Sequence, residues 1–130
     1  MVSNIIVNAL SGAQAGLGLT ASKDLFAEQA RGDKNVLVST TAQTGDRYLP
    51  FERTAPVNVL VTGYDTLTGS RLSEAICNKI LSLEGNTLSY GTETYVIQAV
   101  HVRNWPTLLP DPDKTTITAN IELTYKLTTS

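Results

Sequence analysis

The chain has 130 residues, 42% of them apolar and 17% charged, with ten basic against twelve acidic side chains and a net charge of −2. A chain of this length buries about two-thirds of the surface its unfolded form exposes and holds one core without staples. A single Cys excludes an internal disulfide and a multi-Cys zinc site, and the slightly acidic balance argues against a protein that grips nucleic acid by neutralising phosphates.

The amino-terminal stretch has no basic residues ahead of its apolar run, and Asn8 interrupts that run early, so it reads neither as a signal peptide nor as a spanning helix of about 20 apolar residues. A soluble chain made in a reducing cytoplasm is expected, and Cys77 fits that compartment. From Asn4 to Gln14, apolar residues at 5, 6, 9, 10 and 13 follow one-sided helical spacing, which Gly12, Gly16 and Gly18 then end. Thr20 to Lys34 is mixed, with Leu25 and Phe26 suited to burial and a turn over 31–34. Asn35 to Thr41 is rich in β-formers and predicts a strand, and a polar loop follows from Ala42 to Thr54.

Ala55 to Tyr64 is the clearest early strand, with Val57, Val59 and Val61 on one face; Pro56 suits a strand start or an edge. Residues 65–69 read as a turn into the best helix, Ser70 to Leu83, whose stripe is Leu72, Ile76, Ile80 and Leu83 and whose stop is Gly85. Thr94 to Val102 predicts a strand with Val96, Val100 and Val102 on one face and Tyr95, Ile97, Ala99 and His101 on the other. Asn104 to Lys114 reads as a loop excursion with three prolines. Thr115 to Leu127 alternates, with Ile117, Ala119, Ile121, Leu123, Tyr125 and Leu127 facing in. The expected fold is α+β: one domain over residues 1–130, a mostly antiparallel sheet of about four strands, and two helices packed on one face.

Chemistry has few candidates. A nucleophile system needs a base beside the nucleophile. The only imidazole, His101, sits in an alternating strand and reads first as a structural or solvated residue, while Cys77 reads as a small packing residue within a helix. Asp111 and Asp113 lie in a Pro-rich loop where acidic residues make turns, and with Asp65 they lack the spacing of a calcium loop. Gly12, Gly16 and Gly18 superficially match a phosphate loop, yet no strand precedes them and no Gly-Lys-Ser/Thr ending follows. No enzyme activity, cofactor or metal is therefore expected.

Interface chemistry is better represented. Trp105, Leu108 and Leu109 are large apolar side chains on a segment stiffened by Pro106, Pro110 and Pro112. They suit a satellite cluster over the sheet end or a docking element equally, since Trp is enriched in binding hot spots and rigid segments lose little entropy on docking. A second segment, 43–53, mixes charges with aromatics at Asp46, Arg47, Tyr48 and Phe51, a composition suited to protein contact.

Three runs, LFAEQARGDKNVLVSTTAQTGD, APVNVLVTGYDTLTGSRLSEAICNKILSLEG and YVIQAVHVRNWPTLLPDPDKTTITANIELTYKL, together resemble the tail-terminator (minor capsid) proteins of long-tailed bacteriophages. The resemblance is one of pattern over roughly Asn4 to Leu127: a short helix, a strand ending in a polar turn over 36–45, a strand joined to an amphipathic helix over 57–83, and a long hairpin over 95–127. The chain departs from the family in having no proline from Glu28 to Lys34. The resemblance implies a structural virion protein, assembled in the host bacterial cytoplasm. It would form a homo-oligomeric ring of six that caps the tail tube, meets the tube protein and the head-tail connector proteins, and lets DNA pass without specific binding or any membrane contact. A ring needs two different, complementary patches on each subunit. Six copies at −2 each carry −12 and would not hold passing phosphates. Other expectations are a head-closure or connector protein, a stand-alone binding module built on the Trp105 segment, and a small hydrolase around His101 with Asp111 and Asp113.

Overall fold

A computed structural model describes residues 2–12, 16–21, 23–29, 32, 34–40, 44–45, 52–90, 92–109 and 114–129. In chain order the elements are α1 (Val2–Leu10), β1 (Leu25–Ala27), β2 (Asn35–Thr40), β3 (Thr44–Gly45), β4 (Glu52–Thr62), α2 (Thr66–Leu81), β5 (Thr87–Tyr90), β6 (Glu93–Leu109) and β7 (Thr116–Thr129). The expectation of about four strands is corrected: seven strands form one sheet, six of them in the order β1-β2-β4-β7-β6-β5, with β3 paired to β4 beside that path. Just over half of the described residues are in strands, so sheet dominates and the two helices are accessory to it.

The additional strands lie where local signals are weakest. β1 is three residues long and pairs in parallel with β2, Leu25 opposite Val36 and Ala27 opposite Val38. β5 is four residues long, comes out of a Gly/Asn turn, and pairs antiparallel with the start of β6. The helix α1 touches β1 and β2 at one end of the sheet and β5 at the other. One helix reaches both ends only if the sheet wraps around it, and the sheet is indeed curled into a half-barrel.

The packed face is supplied by alternate residues of each strand. Val57, Val59 and Val61 of β4 and Ile117, Ala119, Ile121, Leu123 and Tyr125 of β7 are buried, while Leu127 is half-buried. Against them lie Ile5, Ile6 and Leu10 of α1 and Ile76, Cys77 and Ile80 of α2. Each fully buried aliphatic side chain contributes about 1.5–3 kcal/mol relative to exposure.

Pro56 stands inside β4, not at its start. β2 pairs with β4 up to Thr40 opposite Val57, and β3 resumes pairing at Thr44 opposite Thr54. The proline therefore falls where β4 passes from one neighbour to the next, a place where a missing N–H costs no ladder bond on that side.

α2 begins a turn earlier than its apolar stripe suggests. The Asp65 carboxylate accepts the Thr68 N–H at 2.7 Å and the Thr68 hydroxyl at 3.0 Å, so the segment that reads as a turn is an N-cap. These bonds hold the Asp65 carboxyl below the usual carboxylate range. The buried face also begins earlier, at Gly69, Ser73, Ile76, Cys77 and Ile80, and Leu72 is only half-buried.

Candidate interface

β6 has 17 residues and β7, its partner, has 14. Three register shifts, between Ile97 and Ala99, between Val102 and Asn104, and between Asn104 and Thr107, absorb the difference. Each bulge adds twist and bends the strand, which contributes to the curl of the sheet. The first bulge also resets the faces. Without it Ile97 and Val100 would point to opposite sides; with it Tyr95, Ile97 and Val100 are all buried, and Ala99 and His101 are exposed. The expected grouping of Val96 with Val100 and Val102, and of Tyr95 and Ile97 with Ala99 and His101, is corrected accordingly.

The expectation of a loop from Asn104 onward is corrected as well. β6 continues through Trp105 and Pro106 to Leu109, pairing Asn104 with Asn120, Thr107 with Thr118 and Leu108 with Ile117. β5 accompanies β6 only to Val96, and beyond it no described strand lies on that side. From 101 to 109 only Val102 and Pro106 are half-buried, and the other seven residues are exposed. Apart from Val102, which packs against the core, and half-buried Pro106, the described residues leave this distal arm exposed, and no described strand runs along its outer edge.

Among the described residues most large apolar side chains are buried, and the exposed ones gather at one end. Trp105 is 48% exposed, Leu108 53% and Leu109 39%, and Leu67 in the first turn of α2 is 62% exposed. Leu108 pairs with Ile117, whose Cδ1 lies beneath Gly69, two residues after Leu67, so the helix start and the arm share that end of the molecule. The Thr107 hydroxyl donates to the Trp105 carbonyl at 3.1 Å and ties the backbone locally. Arg103 Nη1 lies 3.3 Å from Glu122 Oε2 on the outer face, a surface pair of under about 1 kcal/mol.

Of the residues expected at an interface, Trp105, Leu108 and Leu109 thus fall together on one strand. Asp46, Arg47, Tyr48 and Phe51 lie outside the described residues, as do Asp111 and Asp113. Leu67 was hidden from sequence reading by its place in an apparent turn; the Asp65-x-x-Thr68 capping pattern is the signal that places it on a helix.

His101 and Cys77 do not meet. His101 is exposed on the outer face opposite Glu122, whereas Cys77 is buried on α2 beneath the inner face, with the sheet between them. Gly12, Gly16 and Gly18 each have a left-handed φ, between 70° and 84°, and Gly12 follows a helix, not a strand. Among the described residues no group of three His, Cys, Asp or Glu is placed to hold a metal ion, and no helix is long and apolar enough to cross a membrane.

Burial, with the nearby Glu74 charge added, pushes the Cys77 thiol up to about 11. At pH 8 the folded protein is expected to resist a thiol reagent such as DTNB, with full labelling only in denaturant. Rapid stoichiometric labelling of native protein would contradict this placement.

The chain matches no protein-family model, and it matches no curated protein.

Proposed function

We propose that the protein is a structural subunit that assembles into a closed ring, acting as a tail-terminator-like protein that caps a phage tail tube and joins it to the head. The observation that carries the reading is the exposed apolar row Trp105, Leu108 and Leu109 on an arm of β6 that nothing described covers. A monomer rarely leaves such a row bare without a partner for it. The pattern resemblance to tail terminators supplies the kind of partner: neighbouring copies around a ring, and the tube beneath it. A ring is a head-to-tail contact that closes, so the arm of one subunit seats on a different surface of the next.

The test is solution mass with negative-stain imaging, with and without purified tail tubes of a long-tailed phage. A closed ring, expected to be six-fold, that stops at one layer on the tube end supports the reading, and open-ended tube growth favours a tube subunit. Replacing Trp105 and Leu109 together by Ala is expected to weaken assembly or docking by about 30-fold or more, the loss of one hot-spot residue. Both side chains are exposed, so the monomer keeps its fold and its protected Cys77 thiol. Undiminished assembly by this double variant removes the arm from the interface.

A further inference from the structure

An open strand edge presents a row of backbone N–H and C=O groups, and on a strand with exposed Trp and Leu that row is a template for adding strands from other chains. On β6 the first positions of the row are already occupied, and by no strand. Ile97 donates its N–H to the Asn86 carbonyl at 2.9 Å and accepts the Gly85 N–H at 2.8 Å. Val100, the next residue directed off the sheet beyond the first bulge, donates its N–H to Glu84 Oε1 at 3.1 Å. Glu84, Gly85 and Asn86 belong to the turn between α2 and β5. The ladder therefore ends on a turn and a carboxylate.

A carboxylate suits this position for two physical reasons. It accepts the Val100 N–H and, when ionised, has no donor to offer an incoming strand. A strand arriving at that point must also strip its charge of water. Farther out, Pro106 has no N–H to give a ladder, and two bulges break the two-residue repeat that regular pairing needs.

We propose that Glu84 and Pro106 are edge gatekeepers: they bar strand addition along the open side of β6, so that Trp105, Leu108 and Leu109 dock through side chains while the backbone edge stays unpaired. The role holds whether or not the chain closes into rings. It is read as a difference between a variant and the unaltered chain, so failure of the ring reading and failure of this one are separable.

The experiment compares the unaltered protein with Glu84→Ala and with Glu84→Ala/Pro106→Val, by sedimentation velocity, thioflavin T fluorescence, Cys77 reactivity and amide hydrogen exchange. In Glu84→Ala the Val100 amide is expected to exchange about tenfold faster or more, the loss of a hydrogen bond to a charged acceptor. The double variant is expected to grow into open-ended, thioflavin-positive assemblies in which Cys77 stays unreactive, showing that folded subunits have joined by their edges. Three results overturn the proposal: an unchanged Val100 exchange rate, a double variant with the same species as the unaltered chain, or aggregation only in a form whose Cys77 reacts and which therefore arises from unfolding.

Discussion

Truncating Tyr125 to Ala is expected to cost about 3–5 kcal/mol, the range for removing a large ring from a core. Tyr125 is 2% exposed on β7 and is the largest fully buried side chain of the inner face. Its ring lies 5.4 Å from that of Tyr95, centroid to centroid, with the planes tilted by 52°. Aromatic pairs of this kind add about 0.5–1.5 kcal/mol to the burial itself. The Tyr125 hydroxyl is hydrogen-bonded to the Arg53 guanidinium of its cross-strand partner, while the Tyr95 hydroxyl donates to the Glu93 carboxylate. Removing the ring takes away packing from two strands at once, whereas Tyr125→Phe removes only the Arg53 bond, about 1 kcal/mol, because Arg53 is exposed and regains water. A typical domain is stable by only 5–15 kcal/mol. The Ala variant is therefore expected to be marginal at 37 °C and the Phe variant close to the unaltered protein, as urea unfolding curves would show. Equal losses from both variants would mean that the hydroxyl, not the ring, holds this end of the sheet.

A second large effect is expected at Gly69, where α2 meets the sheet most closely. A Cβ at this position would stand 2.9 Å from Ile117 Cδ1 and 3.4 Å from Tyr64 Cβ. The nearer atom is the end of a flexible side chain that rotates away, so Gly69→Ala is expected to be nearly neutral: about 1 kcal/mol of helix propensity offsets the adjustment. Leu has no such remedy. It lifts the start of α2 off β7, and Gly69→Leu is expected to destabilise by about 1–3 kcal/mol through overpacking. Trimming Ile117 to Val removes the Cδ1 atom and should recover part of that loss, with a coupling of 0.5 kcal/mol or more in a double-mutant cycle. Strictly additive effects would show that α2 and Ile117 do not press on one another.

Several elements were legible in the residues alone because one rule governed them. β7 has a partner on each side and a helix-covered inner face, so its period of two was never interrupted, and the residues expected inside are the buried ones apart from half-buried Leu127. The same holds for Val57, Val59 and Val61 of β4. α2 was visible as a stripe, but its start was not, since an aspartate that caps a helix and one that makes a turn look alike until the Thr68 N–H is seen on its carboxylate. β6 misled in two ways with one cause. Bulges shift the alternation, so a face assignment that is right at Val100 is wrong at Ile97, and they also let Pro106 sit within a strand that three prolines had made look like a loop.

The interface residues divide along the same line. That Trp105, Leu108 and Leu109 are large, apolar and close together was plain from composition. That they stay exposed on a strand edge that no described strand pairs follows from where β5 stops, and that is set by residues distant in the chain. Glu84 was invisible as anything but a charged residue after a helix, because its role is fixed by a bond to Val100, sixteen residues away.

By itself the sequence determined a single thiol with no disulfide partner, a slightly acidic chain with one imidazole, and the inward faces of the two most regular strands. These follow from residue identity and from a local period, and neither depends on what lies across the sheet. Only the tertiary structure decided that the described residues form seven strands, that these wrap around α1, and that the long hairpin is bent by three extra residues into an arm whose outer edge no described strand pairs. Pairing between distant segments sets register, and register decides which side chains a strand buries and which it leaves for a partner.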